Sequence, residues 1–384
     1  MCPVRPFVKD DIPQVADLCW KFLLRRHGPP SPTFNSFLHE LCFVNPLVDS
    51  SFPSLVDETR SGRIMGFLSV ITRQMSLRGE PIRAAFGGNF VVHPEARTAL
   101  SGMRLLKTYL AGKQDVSLTD SANDMSRRLL NGYGFSTILP FSLHWARPLR
   151  PAQYALYAIS RLGWPTFSAC IKFTAKPFCS AVDGMATKLS SSPFRQTVPG
   201  LQAAELDVKT LLACLDEFRS GYSLWPQYDS QSLSWLLTFM DRIKAHGNLQ
   251  KVVLRDDQQK IVGWYIYYLK PGAVGEVVQI GGARQFTRNI LEHLFYDGWS
   301  HGLVGLHGVV GGRLVDEFSD KKCLFACRGG WMVAHSRKPE LLELLHRGDA
   351  FFSRLDGEWC LGFGSERDAG NFDVAGPGSD KKAT

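Results

Sequence analysis

The sequence VVHPEARTALSGMRLLKTYL at residues 91–110 raises the main question about this chain. Its two valines end a strand at His93-Pro94, and a short polar turn leads into a helix that begins near Gly102. Free N–H groups and the positive dipole end at such a helix start attract a polyanion, and a glycine lets the ligand approach closely. The turn therefore predicts either a phosphate-binding site or a packing feature without a ligand.

The composition is that of a globular protein with room for two domains. The chain has 384 residues, of which 45% are hydrophobic and 21% charged. The first residues form no apolar leader, and no run of about eighteen uncharged apolar residues occurs, so we expect neither a signal peptide nor a spanning helix. Nine cysteines without a C-x-x-C pair predict reduced, mostly buried thiols, no metal site and a cytoplasmic protein.

The net charge of +8 is concentrated in residues 144–199. Seven basic residues against one acidic residue give this segment +6, and aromatic residues are interleaved with them. Such a segment attracts an anionic membrane surface or a phosphorylated carrier, so peripheral membrane contact is one expectation. A linker with cationic side chains in solvent is the alternative. No nucleic-acid motif accompanies the charge, so no nucleic acid is expected as a partner.

Hydrophobic periodicity in the first half alternates between strand and helix patterns. It predicts a strand and a helix over residues 6–24, a helix over 34–41, strands over 63–74 and 82–93 joined by a hairpin turn, a strand over 115–118, a helix over 123–131 and a strand over 138–145. This mixture predicts an α/β fold of the α+β mixed-sheet kind, with helices on both faces.

The element order, the Val-His-Pro strand end and the G-x-x-L-L helix resemble the GNAT superfamily of acyltransferases over residues 4–148. The resemblance implies that a turn of the form R/Q-x-x-G-x-G/A binds the pyrophosphate of an acyl-CoA, with acetyl-CoA the first candidate. Arg97 matches the first position and Gly102 the last, whereas Leu100 replaces the first glycine. The implied cofactor-binding residues are Val91, Val92, Arg97, Thr98, Ala99, Leu100, Ser101, Gly102, Met103 and Asn123.

The first half departs from the family pattern at two positions. Asn123 matches the family's asparagine after the fifth strand, but Leu130 stands where many members carry a general-acid tyrosine. Together with Leu100, this leaves two alternatives. The chain is either an N-acyltransferase that uses acyl-CoA, or a catalytically decayed GNAT scaffold with a binding or regulatory role.

The second half repeats the plan of the first. The strand pattern KIVGWYIYYL at 260–269 resembles RIMGFLSV at 63–70, and the turn at 281–284 opens a second helix without a G-x-G. Two GNAT-like domains in tandem resemble the Fem-type peptidyl transferases and the N-myristoyltransferases. The predicted organisation is a GNAT-like domain at 1–148, a basic aromatic connection at 149–197, a second GNAT-like domain at 198–363 and a disordered tail at 364–384.

Acyl transfer to an amine needs a base and a donor for the oxyanion. The fourth strand offers Asn89 but no carboxylate, and Glu276 in the corresponding strand of the second half is the candidate base. The alternative for Glu276 is a surface glutamate at a sheet edge. Residues 349–359 predict a hairpin that turns at Asp356-Gly357 and completes the second sheet.

The acceptor is expected to be a small-molecule or peptide amine in the cleft between the halves. The loop at 220–229 supplies candidate acceptor-binding residues, which are Tyr222, Trp225, Tyr228 and Asp229. An aromatic loop that covers the core is the alternative. A further hypothesis is a Fem-like aminoacyl or fatty-acyl transferase that acts near a membrane and uses a thioester on an acyl-carrier protein.

Overall fold

The computed structural model describes residues 4–96, 100–160, 177–186, 192–327 and 330–361. The strands are β1 Val4–Pro6, β2 Leu55–Glu58, β3 Ile64–Leu77, β4 Glu80–Val92, β5 Val116–Ala122, β6 Ser136–Thr137, β7 His144–Pro148, β8 Gln202–Glu205, β9 Leu224–Pro226, β10 Asn248–Arg255, β11 Ile261–Leu269, β12 Val274–Gly282, β13 Gly305–Val309, β14 Leu324–Ala326 and β15 Trp331–Ser336.

The α-helices are α1 Ile12–Leu18, α2 Pro32–His39, α3 Ser101–Leu110, α4 Asp124–Asn131, α5 Pro151–Ser160, α6 177–186, α7 Val208–Glu217, α8 Ser230–Asp241, α9 Thr287–Ser300, α10 Val315–Asp320, α11 Pro339–His346 and α12 Glu358–Leu361. A π-helical turn extends each of the first two, at Cys19–Leu23 and Glu40–Val44.

Local sequence explains the long hairpin that carries the site. The apolar run at the start of β3 is buried throughout, as the pattern predicts. Its two-residue turn consists of Arg78 and Gly79, both with positive φ (52° and 98°), the conformation that matches the twist of hairpin strands. The predicted hairpin between 63–74 and 82–93 is confirmed.

The first sheet has the strand order β1-β2-β3-β4-β5-β15-β6, with β9 paired to the far end of β3. Strands β4 and β5 are parallel and pair over only three positions, from Ala84 opposite Val116 to Phe86 opposite Leu118. Beyond Phe86 and Leu118 the pairing stops, and the gap between the two strands is where the cavity described below lies.

A β-bulge interrupts β4 beside this gap. Phe67 pairs with Val91 and Ser69 with Gly88, so β4 uses one residue more than β3 over the same length. Asn89 lies inside the bulge with φ 47°. Bulges re-aim backbone groups and occur next to active sites, so the bulge marks this part of β4 as a candidate functional region.

The second sheet repeats the arrangement of the first. Its order is β14-β7-β13-β12-β11-β10-β8, and β12 and β13 are again parallel over three positions, from Val274 opposite Gly305 to Glu276 opposite His307. The predicted repeat of two mixed sheets with helices is confirmed.

Each half contributes strands to the sheet of the other: β7 of the first half joins the second sheet, and β9 and β15 of the second half join the first sheet. Strand β7 lies in the second sheet between β14 and β13, and β15 lies in the first sheet between β5 and β6. The sheets therefore cross the predicted domain limits at 148 and 198. The predicted strand at 138–145 is wrong. That stretch holds a 3-10 turn at Leu139–Phe141, and the strand that follows, β7, pairs with β13 in the second sheet.

The hydrophobic core joins the two sheets. One cluster contains Phe67 of the first sheet, Trp264 of the second and residues of the segment 349–361, which we call the C-terminal strap. The predicted hairpin at 349–359 is wrong: the strap forms a single bridge, from Ala350 to Leu224, and ends in helix α12. The strap passes between the halves, so it contacts both sheets.

The predicted basic aromatic connection is described only in part, since residues 161–176 and 187–191 lie outside the described ranges. The guanidinium groups of Arg147 and Arg150 donate to backbone carbonyls. Ile159, Phe178 and Met185 are exposed, and membrane contact stays a prediction. Within the described ranges no helix is both long and apolar enough to span a membrane. The predicted disordered tail at 364–384 also lies outside them.

Candidate functional site

A cavity of about 250 Å³ fills the gap between β4 and β5. Polar and apolar groups contribute about equally to its walls. The lining residues are Leu23, Leu68, Gly87, Gly88, Asn89, Phe90, Leu106, Tyr109, Leu118, Thr119, Ser121, Ala122, Asn123, Ser126, Leu130, Phe135 and Glu358.

The bulge residue Asn89 presents a backbone N–H at this cavity. The N–H donates to Oε1 of Glu358 over 2.8 Å, and the side-chain Nδ2 donates to Ser69 Oγ over 3.2 Å. Asn89 is 1% exposed, and its Oδ1 has no hydrogen-bond partner among the described residues. A buried acceptor without a partner requires an explanation, and a ligand that donates an N–H is one.

Glu358, the first residue of α12, extends its side chain through the gap between the strands. Its Oε2 accepts from Ser121 Oγ and from Thr119 Oγ1, the latter over 3.3 Å. A Cβ at Gly88 would lie 2.6 Å from Glu358 Cγ, so the glycine leaves room for this side chain. The carboxylate is therefore held in the cavity wall by groups from both strands.

Asp120 holds the start of α12. It lies between Thr119 and Ser121 on β5, so its side chain leaves the strand on the opposite face. Its carboxylate accepts the N–H groups of Glu358 (2.9 Å) and Trp359 (3.4 Å). A Cβ at Gly357 would lie 2.1 Å from Asp120 Oδ2, so only glycine permits this approach. Burial, together with the charge of Glu358, raises the pKa of Asp120 to about 7.

Helix α3 lines the cavity through Leu106 and Tyr109, and it begins at the turn where the family resemblance places the pyrophosphate. Leu100 precedes it in the left-handed conformation (φ 58°) and is 53% exposed. This conformation favours glycine, which explains physically why the family pattern has glycine there. The Oγ of Ser101 donates to the buried Asp57, which Arg104 also contacts. The predicted residues Arg97, Thr98 and Ala99 lie outside the described ranges.

Gly102 and Asn123 also have roles in packing and capping. A Cβ at Gly102 would lie 3.2 Å from the Phe90 ring, so this glycine lets α3 pack closely on β4. The Oδ1 of Asn123 caps α4 by accepting the N–H of Ser126 over 2.8 Å. Asn123 lines the cavity, and so does Leu130, which stands in place of the family's tyrosine. Cofactor binding by Asn123 stays a prediction.

Solved structures of acyltransferases match most of the chain. A protein of Enterococcus faecalis V583 described as a "Probable N-Acyltransferase" is 12% identical with a TM-score of 0.58, covering 88% of this chain and 73% of that chain. A GCN5-related N-acetyltransferase from Anabaena variabilis ATCC 29413 is 11% identical with a TM-score of 0.56, covering 87% and 72%. The Saccharomyces cerevisiae N-myristoyltransferase with bound myristoyl-CoA is 11% identical with a TM-score of 0.50, covering 86% and 77%.

The chain has the GNAT fold in two copies. The resemblance seen in the sequence is thereby confirmed at the level of fold. No protein-family model and no curated protein sequence matches the chain. At identities of 11–12% the likeness concerns the fold, so the chemistry has to be argued from the site itself.

The predicted base Glu276 does not line the cavity between β4 and β5. Glu276 of β12 contacts His307 of the neighbouring strand β13 and Arg354 of the C-terminal strap. Burial opposes its ionisation, but the charges of His307 and Arg354 outweigh burial and hold the pKa of this carboxyl well below its usual range. A carboxylate so weakly basic is a poor general base, so the arrangement argues for an ion-pair role.

The predicted acceptor-binding residues lie in packing and capping positions of this GNAT fold. Trp225 stacks on Phe351 of the strap, with ring centroids 4.3 Å apart, and Tyr222 lies against both rings. The hydroxyl of Tyr228 donates to Asp356. Asp229 caps α8 by accepting from the N–H of Ser232 over 2.7 Å. None of the four lines the cavity between β4 and β5.

Two other chemistries find no support in the fold. The sequence GWSHG at 298–302 matches the serine-hydrolase pattern G-x-S-x-G, but it spans the C-terminal end of α9, and Ser300 Oγ donates to the Asp297 carbonyl. A nucleophile elbow requires a strand, a turn and a helix in succession. Among the described residues, no group of three or more His, Cys, Asp or Glu side chains could hold a metal ion.

The raised pKa of Asp120 predicts how stability depends on pH. A carboxyl whose pKa is 3.8 in the unfolded chain and about 7 in the folded protein stabilises the fold fully below pH ~3.8, and this contribution is lost as the pH rises through about 7. When the pH is raised from 5 to 8, the wild type should lose this contribution, whereas Asp120→Asn has no carboxyl to titrate. The unfolding free energy of the variant should therefore rise by more than about 1 kcal/mol relative to that of the wild type over this pH interval.

Urea unfolding at both pH values measures this difference. The exposed Asp10→Asn is the control and should follow the wild type at both. Parallel pH profiles for Asp120→Asn and the wild type would show that Asp120 keeps an ordinary carboxyl pKa.

Proposed function

We propose that the chain is an N-acyltransferase that moves an acyl group from an acyl-CoA to an amine. The observation that carries the proposal is the pair of groups at the end of the cavity, the bulge N–H of Asn89 and the carboxylate of Glu358, which lie 2.8 Å apart. A preorganised N–H stabilises a developing oxyanion, and a carboxylate accepts the proton of an ammonium group.

The residues divide the reaction between them. Glu358 takes a proton from the acceptor's ammonium group, and the free amine attacks the thioester carbon. The N–H of Asn89 donates to the carbonyl oxygen as it becomes an oxyanion. The C–S bond then breaks, and the second proton lost by the amine passes to the departing sulfur, so that an amide and CoA thiol are formed.

The acceptor Oδ1 of Asn89 would give the amine a second contact once the Asn89 side chain turns toward the cavity. Asn89 lines the cavity, but its Oδ1 is buried away from the cavity surface and has no hydrogen-bond partner among the described residues. An ammonium group carries three donors, so it can donate to Glu358 and to Oδ1 together. This contact would orient the nitrogen toward the carbonyl carbon, and positioning of this kind supplies much of the rate in acyl transfer.

The start of α3 is the proposed pyrophosphate site, and Leu100 allows a direct test. Leu100→Glu places a negative charge at the helix start and should weaken acetyl-CoA binding by about 10-fold or more. Leu100→Gln has a similar size without the charge and serves as the matched control. Leu100→Gly removes the side chain and relieves the left-handed strain, so it should bind at least as tightly as the wild type. Gly102 is unsuitable for this purpose because its substitution disturbs the contact with Phe90.

Calorimetry with acetyl-CoA and decanoyl-CoA measures binding, and release of CoA thiol in the presence of lysine, spermidine or peptides with a free N-terminus measures transfer. If Leu100→Glu and Leu100→Gln lose the same affinity, the added charge has no effect, and the pyrophosphate does not bind at the start of α3. Absence of binding in the wild type and in all three variants would instead favour the decayed scaffold with a binding or regulatory role.

A further inference from the structure

The carboxylate of Glu358 occupies the N–H that the acyl carbonyl oxygen would need. Its Oε1 accepts the bulge N–H of Asn89, while Oε2 is held separately by the hydroxyls of Ser121 and Thr119. A carbonyl oxygen can reach the N–H only after Oε1 has left it, because Gly88 places the Glu358 side chain directly against β4.

We propose that Glu358 is an internal competitor for the acyl carbonyl site and sets the discrimination between acylated and free CoA. The inference rests on the proposed function. An acylated carrier must displace Oε1 from the Asn89 N–H, whereas free CoA has no carbonyl at that position and leaves the contact in place. The displaced carboxylate keeps its hydroxyl partners through Oε2, so it stays in the cavity wall beside the acyl group.

The competitor is built into the fold. Asp120 fixes the start of α12 by accepting the N–H groups of Glu358 and Trp359. The absence of a Cβ at Gly357 and at Gly88 makes room for the carboxylates of Asp120 and Glu358. Hydrogen bonds to an ionised acceptor are about twice as strong as neutral ones. The Asn89 N–H is thus occupied by a strong acceptor until a ligand replaces it.

Calorimetry of the full chain with acetyl-CoA and with free CoA tests the inference. Glu358→Ala removes the competitor and should raise the affinity for acetyl-CoA about 10-fold, while the affinity for CoA changes by less than about 2-fold. Glu358→Gln retains a weaker, neutral acceptor and should fall between Glu358→Ala and the wild type. Glu80→Gln, an exposed substitution on the same strand β4, should match the wild type.

A second variant tests the same inference if Glu358→Ala does not fold. Gly88→Ala keeps the carboxylate but pushes it away, since the new Cβ meets the Glu358 side chain at 2.6–2.9 Å, and it should show the same selective gain for acetyl-CoA. An equal gain for both ligands, no gain, or a loss confined to acetyl-CoA would each overturn the inference while leaving carrier binding established. If neither the wild type nor any variant binds acetyl-CoA or CoA, the proposed function is wrong, and so is the inference that rests on it.

Discussion

Glu358→Gln should lower the rate of acyl transfer by about 10²- to 10⁴-fold, the usual cost of losing a positioned proton acceptor. The substituted amide has nearly the same shape as the carboxylate. Its oxygen can still accept from the Asn89 N–H, while its NH2 group takes the place of Oε2 and can donate to the hydroxyl oxygen of Ser121. It cannot take a proton from an ammonium group. Acceptor amines are protonated at neutral pH, so the deficit arises at the step that makes the nucleophile.

The pH profile separates this role from a structural one. As the pH approaches the pKa of the acceptor, about 8 for an α-amino group, the amine loses its proton to water and the deficit of Glu358→Gln should shrink. A variant that only distorts the site would keep the same deficit at every pH. The measurement is the release of CoA thiol from acetyl-CoA between pH 6.5 and pH 9, with Glu80→Gln as the control. A rate within 3-fold of the wild type at pH 7 would exclude Glu358 as the base.

Periodicity predicts the elements whose burial is set by their own sequence. The continuous apolar run at 64–71 and the two-residue turn define β3 and the hairpin, because a short apolar run and turn chemistry are local properties. Strand β15 and the transfer of β7 to the second sheet were not predicted. Their placement depends on pairing with distant partners, as between Val333 and Thr119, and nothing local encodes that pairing.

The site divides in the same way. Asn89 and Asn123 follow from the family resemblance, because the residues around them match its pattern. Glu358 does not, since its partners Asn89 and Ser121 lie 269 and 237 positions away. The sequence around Gly357 indicates a turn and no more. In the proposed function, the carboxylate that Glu276 was expected to supply comes instead from Glu358, on a segment that only the folded chain brings to the first half.

Loss of Arg73 should destabilise the protein by about 3–5 kcal/mol, because this side chain fastens the C-terminal strap to β3. Arg73 is 2% exposed. Its Nε donates to the carbonyl of Asp356 over 2.7 Å, and one terminal nitrogen donates to the carbonyl of Leu355 over 3.2 Å. Arg73→Met leaves the Asp356 carbonyl without its donor in the core, at a cost of about 1–3 kcal/mol. It leaves the Leu355 carbonyl with the weak S–H donor of Cys360, which lies 3.3 Å away. It also leaves the Asp356 carboxylate without its neighbouring cation.

One contribution opposes this loss. A terminal nitrogen of Arg73 has no hydrogen-bond partner among the described residues, so the methionine removes one unsatisfied donor, worth about 1–3 kcal/mol. This relief is smaller than the three losses, which are the unpaired Asp356 carbonyl, the weakened contact of the Leu355 carbonyl and the missing cation beside the Asp356 carboxylate. The net change is therefore destabilising. Urea unfolding measures it, and the exposed Arg60→Met should stay within about 0.5 kcal/mol of the wild type. Because the strap also carries Glu358, Arg73→Met should lose transfer activity at temperatures where it remains folded, whereas a stability change below about 1 kcal/mol would mean that the strap is held by its apolar contacts alone.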